Sequence, residues 1–177
     1  MIARRLVYVA MAVMLLNSCI GESAESGDHI TEGMKVPAFT LSGANGAVFE
    51  SPQDLLGRTT LLIFFATWCP QCEGELPIIE EVWEAVRKDK NLNVVAISRG
   101  GEDRYLQTET IISEYWSEHG YSMAWYLDED RRVFDAFATS NIPRVYIIDA
   151  TGKVVWYAVS PELDTAAYLE LLDRYSK

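Results

Sequence analysis

Two kinds of hydrophobic pattern alternate along most of the chain. Continuous apolar runs of strand length occupy residues 60–65 and 92–97, which is typical of strands covered on both faces of a sheet. Elsewhere apolar residues recur three and four positions apart, which predicts amphipathic helices. The clearest helical stripes are Ile78, Ile79, Val82, Trp83 and Val86, and then Ile111, Ile112, Tyr115 and Trp116.

Shorter elements surround these segments. Residues 39–41 and 48–50 predict a β-hairpin, because the step Asn45-Gly46 between them favours a tight turn. The elements that follow are predicted as a strand over 123–127, a helix over 132–138, and a second hairpin over 145–148 and 154–158.

A last helix is expected over 162–175, with Ser160-Pro161 as its start signal. Strands and helices in this order predict an α/β fold with a central mixed β-sheet, helices on both faces and an N-terminal β-hairpin extension. The length of 177 residues suits one folded domain.

The first eighteen residues have the order of a secretory signal peptide. Arg4 and Arg5 form a positive end, and the apolar run over 6–16 that follows is too short to span a bilayer. The stretch 16–19, Leu-Asn-Ser-Cys, resembles a bacterial lipobox, which implies cleavage before Cys19 and attachment of a lipid to its thiol. The alternative is a plain signal peptide that contains a cysteine.

This interpretation divides the chain into a lipoprotein signal peptide over 1–18, a flexible acidic tether over 19–32 and a folded domain over 33–177. Small polar and acidic residues without apolar periodicity predict the tether. We expect a lipid-anchored protein of the bacterial cell envelope that faces the periplasm. Ile20, in place of Asp after the lipidated cysteine, favours the outer membrane by the sorting rule for such lipoproteins.

The net charge of the chain argues against one class of binding partner. The chain carries 15 basic and 26 acidic residues, for a formal net charge of −11. Phosphate backbones attract basic surfaces, so a nucleic-acid partner is not expected.

The cysteine count points to a redox pair. If Cys19 carries a lipid, Cys69 and Cys72 are the two cysteines left to form a disulfide. A disulfide that closes so short a loop is a poor structural staple, because its entropic gain grows with loop length. The bond is better suited to being made and broken.

The position of the pair suggests a role for each sulfur. Cys69 falls where a buried strand ends and an amphipathic helix begins, and the free N–H groups and positive dipole of a helix N-terminus stabilise a thiolate. We therefore expect Cys69 to be the nucleophile. Cys72, one turn further on, is expected to resolve the mixed disulfide. Pro70 suits the first helical turn, where its missing N–H would have no partner.

These features resemble the thioredoxin superfamily, and within it the TlpA/ResA-like disulfide reductases of bacterial envelopes. The resemblance rests on Trp68-Cys69-Pro70-Gln71-Cys72, on Pro77, and on Ile142-Pro143 before a predicted strand. It implies a thioredoxin-like fold, no cofactor, and disulfide-containing exported proteins as substrates, with electrons from a membrane donor. The residues that it places at the substrate are Trp68, Pro70, Gln71, Ile142 and a cis Pro143.

Glu75 is also assigned from the resemblance, in which a partly buried glutamate follows the second cysteine by three residues. Such a carboxylate could exchange a proton with Cys72 or repel the thiolates. Ile63 stands where thioredoxin itself carries an acid, so Glu75 is the candidate for that work. The competing interpretation is a solvated helix glutamate like Glu73. Arg144 stands where many relatives have Thr, which bears on substrate preference.

Other functions remain open from the residues alone. The same cysteines would serve a disulfide oxidase or isomerase, because the direction depends on the reduction potential. A peroxidase would need Thr or Ser where the chain has Ala66, and a redox-inactive binding lipoprotein would not need the pair at all. No metal site is expected, because His29 and His119 do not complete a ligand set with the cysteines.

Overall fold

A seven-stranded β-sheet organises the residues that the structure, a computed structural model, describes: 27–101 and 103–176. Its strands are β1 (Phe39–Gly43), β2 (Val48–Ser51), β3 (Thr59–Phe65), β4 (Leu92–Arg99), β5 (Ala124–Asp128), β6 (Arg144–Ile148) and β7 (Val154–Val159). The α-helices of the same residues are α1 (Pro70–Val86), α2 (Glu109–His119), α3 (Arg132–Phe137) and α4 (Thr165–Tyr175).

The sheet is mixed, with the strand order β2-β1-β5-β4-β3-β6-β7. Strands β3, β4 and β5 run parallel to one another, whereas β6 is antiparallel to both β3 and β7. The predicted N-terminal hairpin, β1 and β2, joins the sheet through an antiparallel pairing of β1 with β5. The predicted α/β fold, with its central mixed sheet and N-terminal hairpin, is confirmed.

Strand β3 forms the centre of the core, and all of its residues are buried. Consecutive strand side chains point to opposite faces of a sheet. The Phe64 ring centroid lies 5.4 Å from that of Phe134 on α3, and the Phe65 centroid lies 4.9 Å from that of Trp116 on α2. Helices therefore cover both faces of the sheet. Burial of each phenylalanine side chain contributes about 1.5–3 kcal/mol to the free energy of unfolding.

Helix α1 lies beside α4 and also contacts the segment after α2. The Glu80 carboxylate accepts hydrogen bonds from the backbone N–H groups of Ser122 and Met123 at 2.8 and 3.1 Å. The indole N–H of Trp83 donates to the Ser122 hydroxyl at 3.1 Å. These contacts fix α1, whose first turn carries the cysteines, against the rest of the domain.

The segment predicted as a tether over 19–32 is already part of the domain at residues 27–32. Asp28 forms a β-bridge with Ala138, and the next two backbone N–H groups both donate to the carbonyl at the end of α3. Ile30 is buried against the core. The predicted boundary is wrong here because backbone hydrogen bonds and a single apolar side chain hold the segment, and neither produces a hydrophobic period.

Helix α4 begins three residues later than predicted. Its N-cap is Asp164, whose carboxylate accepts a hydrogen bond from the Ala167 N–H at 2.8 Å. Ser160 has a positive φ of 45° and belongs to the preceding connection. The start signal assigned to Ser160-Pro161 is therefore wrong, and Asp164, an equally good capping residue, supplies it instead.

The predictions for the N-terminus lie outside the described residues. These are the signal peptide, the lipobox with Cys19 and the first part of the tether. Within the described part of the chain, no helix has the length and apolar character needed to cross a bilayer.

Candidate functional site

The cysteine pair lies where the chain passes from β3 into α1. Cys69 is the N-cap residue of α1, and its Sγ accepts a hydrogen bond from the backbone N–H of Cys72 at 3.3 Å. The two form a disulfide with their Cα atoms 5.2 Å apart, and Cys69 is 2% exposed against 0% for Cys72. After reduction, the same N–H group and the positive end of the α1 dipole would stabilise negative charge on Cys69.

The loop before β6 lies against the first cysteine. The Ile142 carbonyl oxygen is 3.6 Å from Cys69 Sγ, and the Ile142-Pro143 peptide bond is cis, as the family resemblance implies. This loop approaches the cysteines because β6 pairs directly with β3, so both strand termini are fixed in one sheet. Ile142 and Pro143 are both buried in this structure, so the loop offers its backbone and not its side chains beside the sulfur. A backbone edge in that position could hold an extended polypeptide.

The other residues predicted to contact substrate surround Cys69. Pro70 and Gln71 are exposed, and the Gln71 side-chain oxygen lies 4.0 Å from Cys69 Sγ. Trp68 is half-buried and donates its indole N–H to the Tyr105 carbonyl at 3.2 Å. The rim of the site therefore combines one flat aromatic ring with small polar and apolar side chains.

Glu75 faces the interior, unlike Glu73 on the same helix. Its side chain is 5% exposed, and its oxygen accepts a hydrogen bond from the Tyr168 hydroxyl of α4. Burial raises the pKa of Glu75 above its ordinary value, and the bond from Tyr168 partly offsets that rise. Glu75 lies one helical turn beyond Cys72, and both side chains are buried on the same helix.

Tyr168 and Gln107 belong to the site's surroundings and were not found from the sequence. The Gln107 amide is buried; it accepts from the Thr67 N–H at 3.2 Å and the Ser98 hydroxyl at 3.1 Å, and donates to the Thr67 hydroxyl at 3.0 Å. It thereby holds the loop that precedes the cysteines. Neither residue lies near the motif in sequence, and neither has a pattern that marks it as functional.

Arg144, next to Pro143, is completely buried. Its guanidinium donates to the carbonyls of Ser140 and Asn141 at 2.9 and 3.0 Å and forms an ion pair with Asp28. The Tyr157 hydroxyl donates to the same carboxylate at 3.1 Å. Arg144 thus holds the loop that precedes Pro143 in place. The sequence did not indicate this structural role.

Comparisons with known proteins identify the family of the chain. The Redoxin family model matches residues 31–172, which is most of the chain and includes both cysteines and Glu75. The chain belongs to the Redoxin family. Among curated proteins, this Redoxin-family chain is 28% identical to the thiol-disulfide oxidoreductase ResA of Bacillus subtilis over 158 residues, which cover 86% of the chain and 84% of the relative. ResA of Oceanobacillus iheyensis is 24% identical over 156 residues, 86% and 78% of the two chains.

Solved structures show the same fold. A thioredoxin-family thiol:disulfide interchange protein from Chlorobium tepidum has a TM-score of 0.69 at 23% identity and covers 83% of this chain and 99% of its own. StoA from Bacillus subtilis has a TM-score of 0.64 at 18% identity, over 76% and 96%. The family, the ResA relatives and the joined cysteines together make this a ResA-like thiol-disulfide oxidoreductase of the thioredoxin superfamily.

Proposed function

We propose that the protein reduces disulfides in exported proteins. The observation that carries the proposal is the position of Cys69, which caps α1 and lies 3.6 Å from the Ile142 carbonyl, where a substrate chain could be held. The relatives are named thiol-disulfide oxidoreductase ResA, which supports disulfide exchange as the chemistry.

The reaction needs only the two sulfurs. In the reduced protein, the Cys69 thiolate attacks one sulfur of the substrate disulfide, forms a mixed disulfide and releases the other substrate sulfur as a thiolate. The Cys72 thiolate then attacks Cys69 Sγ and releases the second substrate sulfur. The substrate gains two electrons and two protons, and the protein is left with the Cys69–Cys72 disulfide. A membrane thiol donor returns it to the dithiol form.

We assign proton handling to Glu75. Cys72 must lose its proton before it can attack, and bulk water has little access to a residue that is 0% exposed. The raised pKa of Glu75 brings its titration closer to neutral pH, where a carboxylate is a better base. Its negative charge would also disfavour a thiolate on either cysteine until Glu75 accepts the proton.

The substrate-binding surface in this proposal consists of Trp68, Pro70, Gln71, Ile142 and Pro143. Pro70 and Gln71 are exposed and Trp68 is half-buried, whereas Ile142 and Pro143 are buried and would contribute their backbone. The cis Pro143 loop would pair with an extended substrate backbone, and the Trp68 ring would cover its side chains. The buried Arg144 keeps the loop in place from behind.

The cellular setting is part of the proposal. An extracytoplasmic, membrane-associated protein fits its ResA relatives, and lipidation of Cys19 would attach it. The outer membrane is favoured by Ile20. A Cys19→Ser variant should lose its membrane association while keeping its disulfide reductase activity; retention in the membrane fraction would argue against the lipid anchor.

The central test is reduction of insulin with dithiothreitol as electron source. Wild type should accelerate precipitation, and Cys69→Ser should reduce the rate to the uncatalysed one. Cys72→Ser should hold an exported substrate protein as a mixed disulfide through Cys69. Equal rates for wild type and Cys69→Ser would instead favour a redox-inactive binding lipoprotein.

A disulfide oxidase or isomerase is the second candidate. One structural neighbour, at 24% identity and a TM-score of 0.66, is named a thio-disulfide isomerase from Thermus thermophilus. The reduction potential separates the directions: a strongly oxidising value, near about −120 mV, would contradict the reductase assignment, whereas one near about −270 mV would support it.

A further inference from the structure

A charged cavity of about 770 Å³ is lined in part by Tyr105, whose ring centroid lies 4.7 Å from that of Trp68, the residue before Cys69. Its position follows from the sheet, because parallel strands β3 and β4 end together, and β4 ends in Arg99. The charged residues that line the cavity are Arg99, Asp103, Asp130, Arg131 and Asp135.

Two aromatic rings hold the guanidinium of Arg99. Its central carbon lies 4.9 Å from the ring centroid of Phe134 and 5.6 Å from that of Trp68. Such contacts favour a cation and fix its position. Since Trp68 directly precedes Cys69, the guanidinium of Arg99 lies within a few ångströms of the rim of the redox site.

Among the described residues, Arg99 forms no ion pair, whereas the neighbouring Arg131 and Arg132 each form one. Asp135 pairs with Arg131 at 2.8 Å, and Asp130 pairs with Arg132. Among the described residues, no carboxylate lies within ion-pair distance of Arg99, and its buried Nε has no hydrogen-bond partner. This Nε is closed to solvent, so a ligand in the cavity would not reach it. Asp135 attracts Arg99 without forming an ion pair with it, and the guanidinium is a fixed positive charge in the cavity wall with which an anion could pair.

We propose that this cavity binds a carboxylate side chain of the substrate polypeptide, with Arg99 as the specificity-determining residue. The inference rests on the proposed function, since it concerns the same bound substrate. An extended chain spans about 3.3–3.6 Å per residue, so an Asp or Glu about two to four residues from the reacting substrate cysteine would reach Arg99 across Trp68. A planar guanidinium suits a carboxylate.

The charge of the rest of the molecule opposes this contact only weakly. Three carboxylates line the cavity: Asp130 and Asp135 are each paired with an arginine, and Asp103 is exposed. The whole chain has a net charge of −11. Exposed charges are screened beyond about 10 Å at 0.1 M salt, whereas a contact with a half-buried guanidinium is screened less. The site therefore selects by a short-range contact and not by long-range attraction.

The test uses disulfide peptides that differ at one residue three positions from a cysteine, as Glu, Gln or Lys. For the wild-type protein, we expect kcat/KM for the Glu peptide to exceed that for the Gln peptide by about three- to tenfold. The Lys peptide should rank last. In Arg99→Gln the ratio of Glu to Gln peptide should fall to about one. Arg87→Gln, an exposed arginine at the opposite end of α1, should keep the wild-type ratio.

A second variant keeps the test decisive if Arg99→Gln does not fold. Asp103→Asn changes an exposed side chain and removes the repulsion at the rim, so it should increase the preference for the Glu peptide. Equal turnover of the Glu and Gln peptides by wild type, or a preference that survives in Arg99→Gln, would overturn the subsite and leave the reductase standing. No turnover of any peptide by wild type would overturn both.

Discussion

Glu75 carries a carboxyl group that is buried in the site. A carboxylate deprived of water is disfavoured, so burial raises the pKa of Glu75 while the Tyr168 hydroxyl moderates the effect. An acid whose folded pKa is raised favours the folded state when it is protonated. That contribution is present below the ordinary pKa of 4.5 and is lost as the pH rises through the folded value.

The first prediction concerns Glu75→Gln. The amide keeps an oxygen for Tyr168 but carries no charge, so the variant should melt at a higher temperature than wild type at pH 8 and at a similar temperature at pH 4. Its cysteine thiols should also titrate at lower pH, because a negative neighbour is gone. Thermal unfolding and alkylation rates measure the two effects. Glu118→Gln, an exposed control on α2, should change neither, and an unchanged thiol titration in Glu75→Gln would refute proton handling.

The second prediction concerns the partner of that carboxyl group. Tyr168→Phe removes a hydrogen bond that lowers the pKa of Glu75, so this pKa should rise further and the pH profile of thiol alkylation should shift with it. A bond to a charged group contributes about 1.5–3 kcal/mol, which urea unfolding at pH 8 should detect as a loss. A pH profile of thiol alkylation identical to that of wild type would show that Tyr168 does not influence the cysteines through Glu75.

At this scale the sequence predicted the residues within a motif and missed those that tertiary packing supplies. Cys69 caps α1 and Cys72 lies in its first turn, so their spacing already places them together, whereas Glu75 on the same helix was assigned from the family resemblance. Tyr168 reaches Glu75 across 93 positions of sequence, and Gln107 reaches Thr67 across 40. Buried tyrosines and glutamines are ordinary core residues until their partners are known.

At the scale of elements, the prediction succeeded wherever side chains bury in a regular period. The central strands and the helices with clear stripes fall within a few residues of their predicted positions. It failed at residues 27–32 and at the start of α4. There the structure depends on backbone bonds and a capping carboxylate, which leave little trace in the hydrophobic pattern.

The third prediction tests how strongly the N-terminal segment is attached. Asp28→Asn should destabilise the domain by about 3–5 kcal/mol, because it leaves the buried charge of Arg144 uncompensated. Urea unfolding measures the loss. Arg132→Gln breaks an exposed pair with Asp130 and should cost less than about 1 kcal/mol. The double variant Asp28→Asn/Arg144→Met should lose less than Asp28→Asn alone, and an equal or greater loss would contradict the electrostatic explanation.

The whole molecule carries an excess of negative charge. With a net charge of −11, the folded chain repels itself, and added salt screens that repulsion. The fourth prediction is that the free energy of unfolding rises by about 1 kcal/mol between low salt and about 0.3 M NaCl, which raises Tm by about 2–4 °C. Calorimetry at pH 7 measures this, and a Tm that falls with salt would show that attractive surface pairs outweigh the repulsion.

The buried pair of Asp28 and Arg144 also limits how parts of this protein can be exchanged with its relatives. The two residues are 116 positions apart, yet each is acceptable in the interior only while the other is present. A chimera that takes the β6 strand from a relative with Thr at this site, and keeps the N-terminal segment of this chain, would bury one unmatched carboxylate. Successful grafts must therefore transfer both segments at once.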